Sequence, residues 1–108
     1  MCEDVVAIAD EVIIYNPKPI TLGSHSIISQ QAYLCGATHD YMDPGFPLVA
    51  SPITIEGYAW ICARAVVQAG VTVKEGAVLG LAGVATKNLE PWSVYAGIPA
   101  QKVKERTR

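Results

Sequence analysis

The 108-residue sequence predicts an all-β fold, a parallel β-helix built as one domain spanning 1–108. Three observations carry that reading. An aliphatic residue recurs every six positions, a mostly small residue stands four positions after each, and one long polar segment with Pro and Gly interrupts the rhythm just after His39. A period of six is neither the 3.6 of a helix nor the simple alternation of an isolated strand, and residues six apart on a helix would lie on nearly opposite faces. Each hexad therefore reads as a short strand plus a turn. Three such units close one triangular coil, and successive coils stack through parallel main-chain hydrogen bonds.

Taken in order, the aliphatic series opens at Cys2 and runs through Ile8 and Ile14, then after two extra residues through Leu22, Ile28 and Leu34. After the long break it resumes at Ile55, Ile61, Val67, Val73 and Leu79, and it ends at Ala85. Ten of the twelve slots are Ile, Leu or Val, and the two exceptions are terminal, as in other repeat arrays. Twelve hexads give about four coils. The companion series is mostly small, with Ser26, Ala32, Thr38, Ala59, Ala65, Ala77 and Gly83, while Ile20 and Leu89 depart towards bulk. The interruption, residues 40–54, is expected to protrude as a loop between the second and third coils, and a long excursion from a compact repeat is more often functional than decorative. The closing segment 91–108 contains IPAQKVKERTR, in which Pro99 suits a first helical position and basic residues come late, so a short C-terminal helix is expected.

Composition narrows the function. The formal net charge is −2 and the cations are thinly spread before the last seven residues, so no basic face suits a nucleic acid. No stretch approaches the roughly 20 apolar residues of a membrane span, and no charged-then-hydrophobic leader opens the chain, so a cytoplasmic protein is expected. Three cysteines without a CxxC pair read as small side chains rather than as a disulfide framework or metal knuckle.

The stretch YLCGATHDYMDPGF, followed by PITI, AWICARAVVQAGVTV and TKNLEPWSVYAGIPAQKVKER, resembles the hexapeptide-repeat acyltransferases, most of all the colanic-acid-type, maltose and galactoside O-acetyltransferases. The resemblance covers nearly the whole chain. It implies a left-handed β-helix, a hand that spacing alone does not set and that departs from the usual right-handed crossover. It also implies a homotrimer with acetyl-coenzyme A bound in the groove between subunits, no metal, and transfer of an acetyl group to a hydroxyl of a sugar or related small acceptor.

By that resemblance His39 is the catalytic base. The chemistry needs one: a hydroxyl is a weak nucleophile, and an imidazole, which titrates near neutrality, can take its proton as the oxygen attacks a thioester. The cofactor positions carried over are Trp60 near the acyl end, Ala63 whose main-chain N–H faces the thioester, and Leu81 along the pantetheine. Thr86, Lys87 and Lys104 follow, near the phosphates. Gln101 stands where a basic residue is common. Asn16, beside the two-residue insertion, is the acceptor-side candidate, although Asn-Pro is also ordinary turn chemistry. His25 reads as a surface residue.

Two other readings compete. The γ-type carbonic anhydrases share the fold, but their three zinc-binding imidazoles do not come from His25 and His39 unless Asp40 or Asp43 substitutes. Relatives generally begin with a leading segment, whereas Met1 and Cys2 open directly in the rhythm. The alternative is thus a shortened, non-catalytic β-helix trimer with a structural or small-molecule-binding role.

Overall fold

A computed structural model describes residues 5–107, and Cys2 lies outside them. All regular structure among these residues is strand. The first coil is β1 (Ala7–Ile8), β2 (Ile13–Tyr15) and β3 (Ile20–Leu22). The second holds β4 (Ile27–Ile28), β5 (Tyr33–Cys35), the protruding pair β6 (Ala37–His39) and β7 (Leu48–Ala50), and then β8 (Ile53–Ile55). The third is β9 (Trp60–Ile61), β10 (Val66–Gln68) and β11 (Thr72–Val73). The fourth is β12 (Val78–Leu79), β13 (Val84–Ala85) and a single bridge at Leu89, after which come β14 (Ser93–Ala96) and β15 (Gln101–Glu105).

Three parallel sheets form the faces of the prism. The first is β1-β4-β9-β12-β14, the second β2-β5-β10-β13, and the third β3-β8-β11, extended by Leu89. Register stacks the aliphatic series on itself. Ile8, Ile28, Ile61, Leu79 and Tyr95 form one column. Ile14, Leu34, Val67 and Ala85 form the second, and Leu22, Ile55, Val73 and Leu89 the third. From Leu22 onward these side chains are buried, so they are the core. The rungs lie about 4.8 Å apart, so each interior methyl group touches its neighbours above and below.

The small series is explained by the corners. Ser26, Ala59, Ala65 and Ala77 each close a turn by donating their N–H to the carbonyl three residues back, at 3.0 to 3.3 Å. The residue just before each, His25, Tyr58, Arg64 or Gly76, has positive φ, as the third position of a type II turn requires. The fourth residue then points into a narrow interior corner, where only a small side chain fits.

Steps from first to second face and from third to first always take six residues. From second to third face the count varies: Ile14 to Leu22 takes eight, Leu34 to Ile55 twenty-one, Val67 to Val73 six, and Ala85 to Leu89 four. Leu89 is thus the last aliphatic slot arriving two residues early, rather than a bulky member of the small series. The excursion belongs to the same edge. It leaves the prism at Ala37 rather than at residue 40 and has rejoined it by Ile53, and, counted from β1, it falls inside the second coil.

The expected C-terminal helix is not formed. Gly97 and Ala100 tie the tail to Val84, and Gln101–Glu105 then runs back antiparallel to β14. An open sheet edge offers ready hydrogen-bond partners, whereas a helix of one or two turns is marginal by itself.

At the edge between third and first faces the ring of His25 stacks on Tyr58 at 4.8 Å, and Tyr58 lies 6.3 Å from Trp92. The indole crosses Gly76, where a Cβ would meet ring carbons at 2.3 Å.

Candidate active site

His39 ends β6 and pairs across the hairpin with Leu48. Between them the chain reverses through two side-chain-capped turns. Asp40 Oδ1 accepts from the Met42 N–H at 3.0 Å, and Asp43 Oδ1 from the Gly45 N–H at 2.9 Å. The Phe46 N–H donates to the Asp43 carbonyl, and the Phe46 carbonyl comes back to 2.7 Å from His39 Nδ1. A carbonyl only accepts, so the proton of this bond sits on Nδ1. In the neutral ring, Nε2 therefore keeps its lone pair. The imidazole is exposed, so that lone pair is accessible to a substrate.

A small cavity of about 160 Å³ opens beneath the hairpin, lined by Cys35, Thr38 and Gln68. Asn16 lies at the same edge one coil earlier. The Gly36 N–H donates to the Tyr15 carbonyl, and a Cβ on Gly36 would stand 2.5 Å from that oxygen, so this close approach requires glycine.

The other predicted residues divide into four places. Ala63 and Leu81 line one groove of about 530 Å³ at the edge between first and second faces, together with Gln31 and Arg64. There Arg64 Nε donates to Gln31 Oε1 at 2.7 Å and Gln31 Nε2 to Glu11 Oε1 at 3.1 Å, a polar ladder across three coils. Thr86 and Lys87 line a second groove, of about 290 Å³, whose opposite wall is Pro99, Gln101 and Lys102. Trp60 stands on the first face, its Nε1 donating to Ser29 Oγ at 2.9 Å. Lys104, opposite Val94 on β15, does not line either groove.

Sequence reasoning missed Gln31, Arg64 and Lys102. The first two were within reach, since Glu11, Gln31 and Arg64 share one hexad position and so one edge. Lys102 was hidden by the reading of its segment as helix.

Thiol chemistry is muted here. Burial pushes the Cys62 thiol above its ordinary value, so it stays protonated at neutral pH. The Cys35 thiol donates to the Ala37 carbonyl at 3.2 Å. Lys102 is shifted up by its hydrogen bond to Glu105, which holds the ammonium charged.

No protein-family model matches the chain. WcaF of Escherichia coli K12, named as a colanic acid biosynthesis acetyltransferase, is 37% identical over 103 residues, which are 95% of this chain and 57% of that protein. Among solved structures, a hexapeptide-repeat acetyltransferase of Vibrio cholerae complexed with acetyl-coenzyme A superposes with a TM-score of 0.85 at 26% identity, over 99% of this chain and 64% of that one. The chain has the hexapeptide-repeat, left-handed β-helix fold of these acyltransferases and is similar to them over nearly all of its own length. It spans only about half the length of the curated relatives it matches, 57% of WcaF and less of others: galactoside O-acetyltransferase of Escherichia coli is 28% identical over 80% of this chain and 44% of its own length. AntD, an N-acyltransferase of Bacillus cereus seen with a dTDP-amino sugar and coenzyme A, shares the fold at a TM-score of 0.87 and 22% identity, over 95% of this chain and 61% of that one.

Proposed function

We propose that the protein is an acetyl-coenzyme A-dependent O-acetyltransferase acting on a hydroxyl of a sugar or related small molecule, with His39 as general base. One observation carries the reading: the Phe46 carbonyl fixes the imidazole proton on Nδ1 and leaves Nε2 free at an exposed hairpin. As the acceptor oxygen attacks the thioester carbonyl carbon, its proton passes to His39 Nε2. The C–S bond then breaks, and the imidazolium returns that proton to the departing thiolate, so the enzyme ends as it began. No thiol of this chain is required as a nucleophile, in keeping with the protonated Cys62.

The groove residues suit the co-substrate. Lys87 and Lys102 put cations on both walls of one groove for phosphate, and Ala63 brings main chain to the other for the acyl arm. These grooves lie on different edges of the prism. A homotrimer, in which one chain's first-to-second edge meets a neighbour's second-to-third edge, would bring Ala63 and His39 into one site. Outward side chains support such packing: Ile13, Tyr15, Ile27 and Trp60 are exposed on the first two faces, while the third shows Thr21, Thr54 and Thr72.

The test is steady-state kinetics with acetyl-coenzyme A and a panel of sugars, with oligomeric mass measured alongside. His39→Ala should lower kcat by about 10²- to 10⁴-fold while the affinity for coenzyme A stays within twofold. An equal loss of cofactor binding would reject the assignment of base. No cofactor binding by the wild type at millimolar concentration would favour a β-helix without catalysis.

A further inference from the structure

Beyond the ladder to β14, the far end of β15 is anchored by Arg106, through its main chain and its side chain. After β15, the Arg106 N–H donates to the Trp92 carbonyl at 2.8 Å and the guanidinium lies 5.2 Å from the centre of the Trp92 ring. Nη1 of the same group donates to the Tyr58 carbonyl at 2.7 Å and to the Gly76 carbonyl at 3.0 Å. Tyr58, Gly76 and Trp92 are the positive-φ residues of three successive corners on one edge, so one guanidinium ties three rungs together. Carbonyls at such corners fall outside the regular ladder, and a planar fork of donors suits them better than an ammonium does.

What Arg106 holds is β15. That strand pairs only with β14, through a register shift at Val94 and Tyr95, and every one of its residues is exposed. Little packing fixes it apart from the hydrogen bonds to β14. Yet its first two residues, Gln101 and Lys102, form the wall that faces Thr86 and Lys87 across the end groove. Removing the peg at Arg106 leaves the strand free to fray from its far end towards that wall.

We infer that Arg106 is a positioning residue for phosphate binding, acting through β15 to hold Lys102 opposite Lys87. The inference rests on the cofactor reading above. It assigns a role to the aromatic edge, remote from His39, and it names Lys102 rather than Lys104 as the tail cation that meets the ligand.

The experiment is titration calorimetry of coenzyme A into the full chain as wild type, Arg106→Ala, Lys102→Ala and the double variant. Arg106→Lys is included as a milder change that keeps the charge over Trp92. Loss of one charge-assisted contact is worth about tenfold, so each alanine variant should raise Kd by about tenfold. The double variant should bind no more weakly than Lys102→Ala, and Arg106→Lys should fall between wild type and alanine. Amide exchange should speed up at residues 102–105 in Arg106→Ala and stay unchanged in β9 to β12. A multiplicative loss in the double variant, or unchanged affinity in Arg106→Ala, overturns the inference while leaving the cofactor reading intact. Absence of binding by the wild type overturns both, and is told apart by that first titration.

Discussion

Consider Gly76→Ala with Gly70→Ala as its matched control. Both glycines occupy the positive-φ position of a corner, at +70° and +81°. Both variants therefore carry the same backbone cost, about 1 kcal/mol for an L residue in that region. Their surroundings differ. A Cβ at position 70 would meet Ser51 Cβ at an ordinary 3.5 Å, whereas at position 76 it would lie 2.3 to 2.6 Å from three indole carbons of Trp92. The indole must leave, and with it the cation–π contact of Arg106, about 0.5–1 kcal/mol. The guanidinium bridge to two carbonyls loosens as well, at about 1.5 kcal/mol or more for a charged hydrogen bond. Gly76→Ala should thus lose about 3–4 kcal/mol against about 1 for Gly70→Ala. In thermal unfolding followed by circular dichroism at one fixed protein concentration, the two midpoints should differ by roughly 10 °C. Equal losses would show that the corner tolerates displacement of Trp92, and that the aromatic edge contributes nothing beyond its backbone.

Further outcomes follow from the packing and the grooves. Ile28→Ala, at a fully buried position between Ile8 and Ile61 in the first column, should cost about 2–5 kcal/mol in urea unfolding. Ser26→Ala removes the buried hydroxyl bond to the Gly23 carbonyl at 2.7 Å but places alanine at a corner position that Ala32, Ala59, Ala65 and Ala77 occupy elsewhere, so the loss should stay near 1 kcal/mol. Leu81→Ala, 72% exposed in the groove with Ala63, should leave the midpoint unchanged within about 0.5 kcal/mol while coenzyme A binds several-fold tighter, a split that calorimetry beside thermal unfolding would reveal. Cys62 should react slowly with iodoacetamide at pH 7 and faster as pH rises, because burial keeps its thiol protonated, and peptide mass spectrometry would report the rate.

The fold was legible because a six-residue rhythm leaves few alternatives, and each aliphatic slot from Leu22 onward landed in the interior column that the period required. What the period did not convey was anything settled by an edge. Residues 101–105 carry helix formers after a proline, and their strand state comes from the unpaired side of β14, to which a local reading is blind. Leu89 was misfiled because the count was assumed constant where the chain had shortened a turn. At the site, the histidine and its loop stood out as an interruption of pattern. The tautomer did not, because it depends on a carbonyl seven residues away brought back by two aspartate-capped turns. The grooves were read residue by residue from a resemblance, and their division between two edges became visible only with the coils in place.

The restriction of every irregular step to the passage from second to third face makes that edge a socket. Two edges count out six residues without exception and hold the columns in alignment, so they behave as a fixed frame. The remaining edge accepts spans of four, six, eight or twenty-one residues and returns the chain to the same column each time. Segments can therefore be exchanged at this edge, lengthened or redecorated, without re-registering a single rung. In the family reading, grafting at the second coil's excursion would retarget the acceptor while the Ala63 groove on the neighbouring edge stayed as it was. A scaffold of this kind separates what must be conserved in geometry from what is open to change, and it does so by counting.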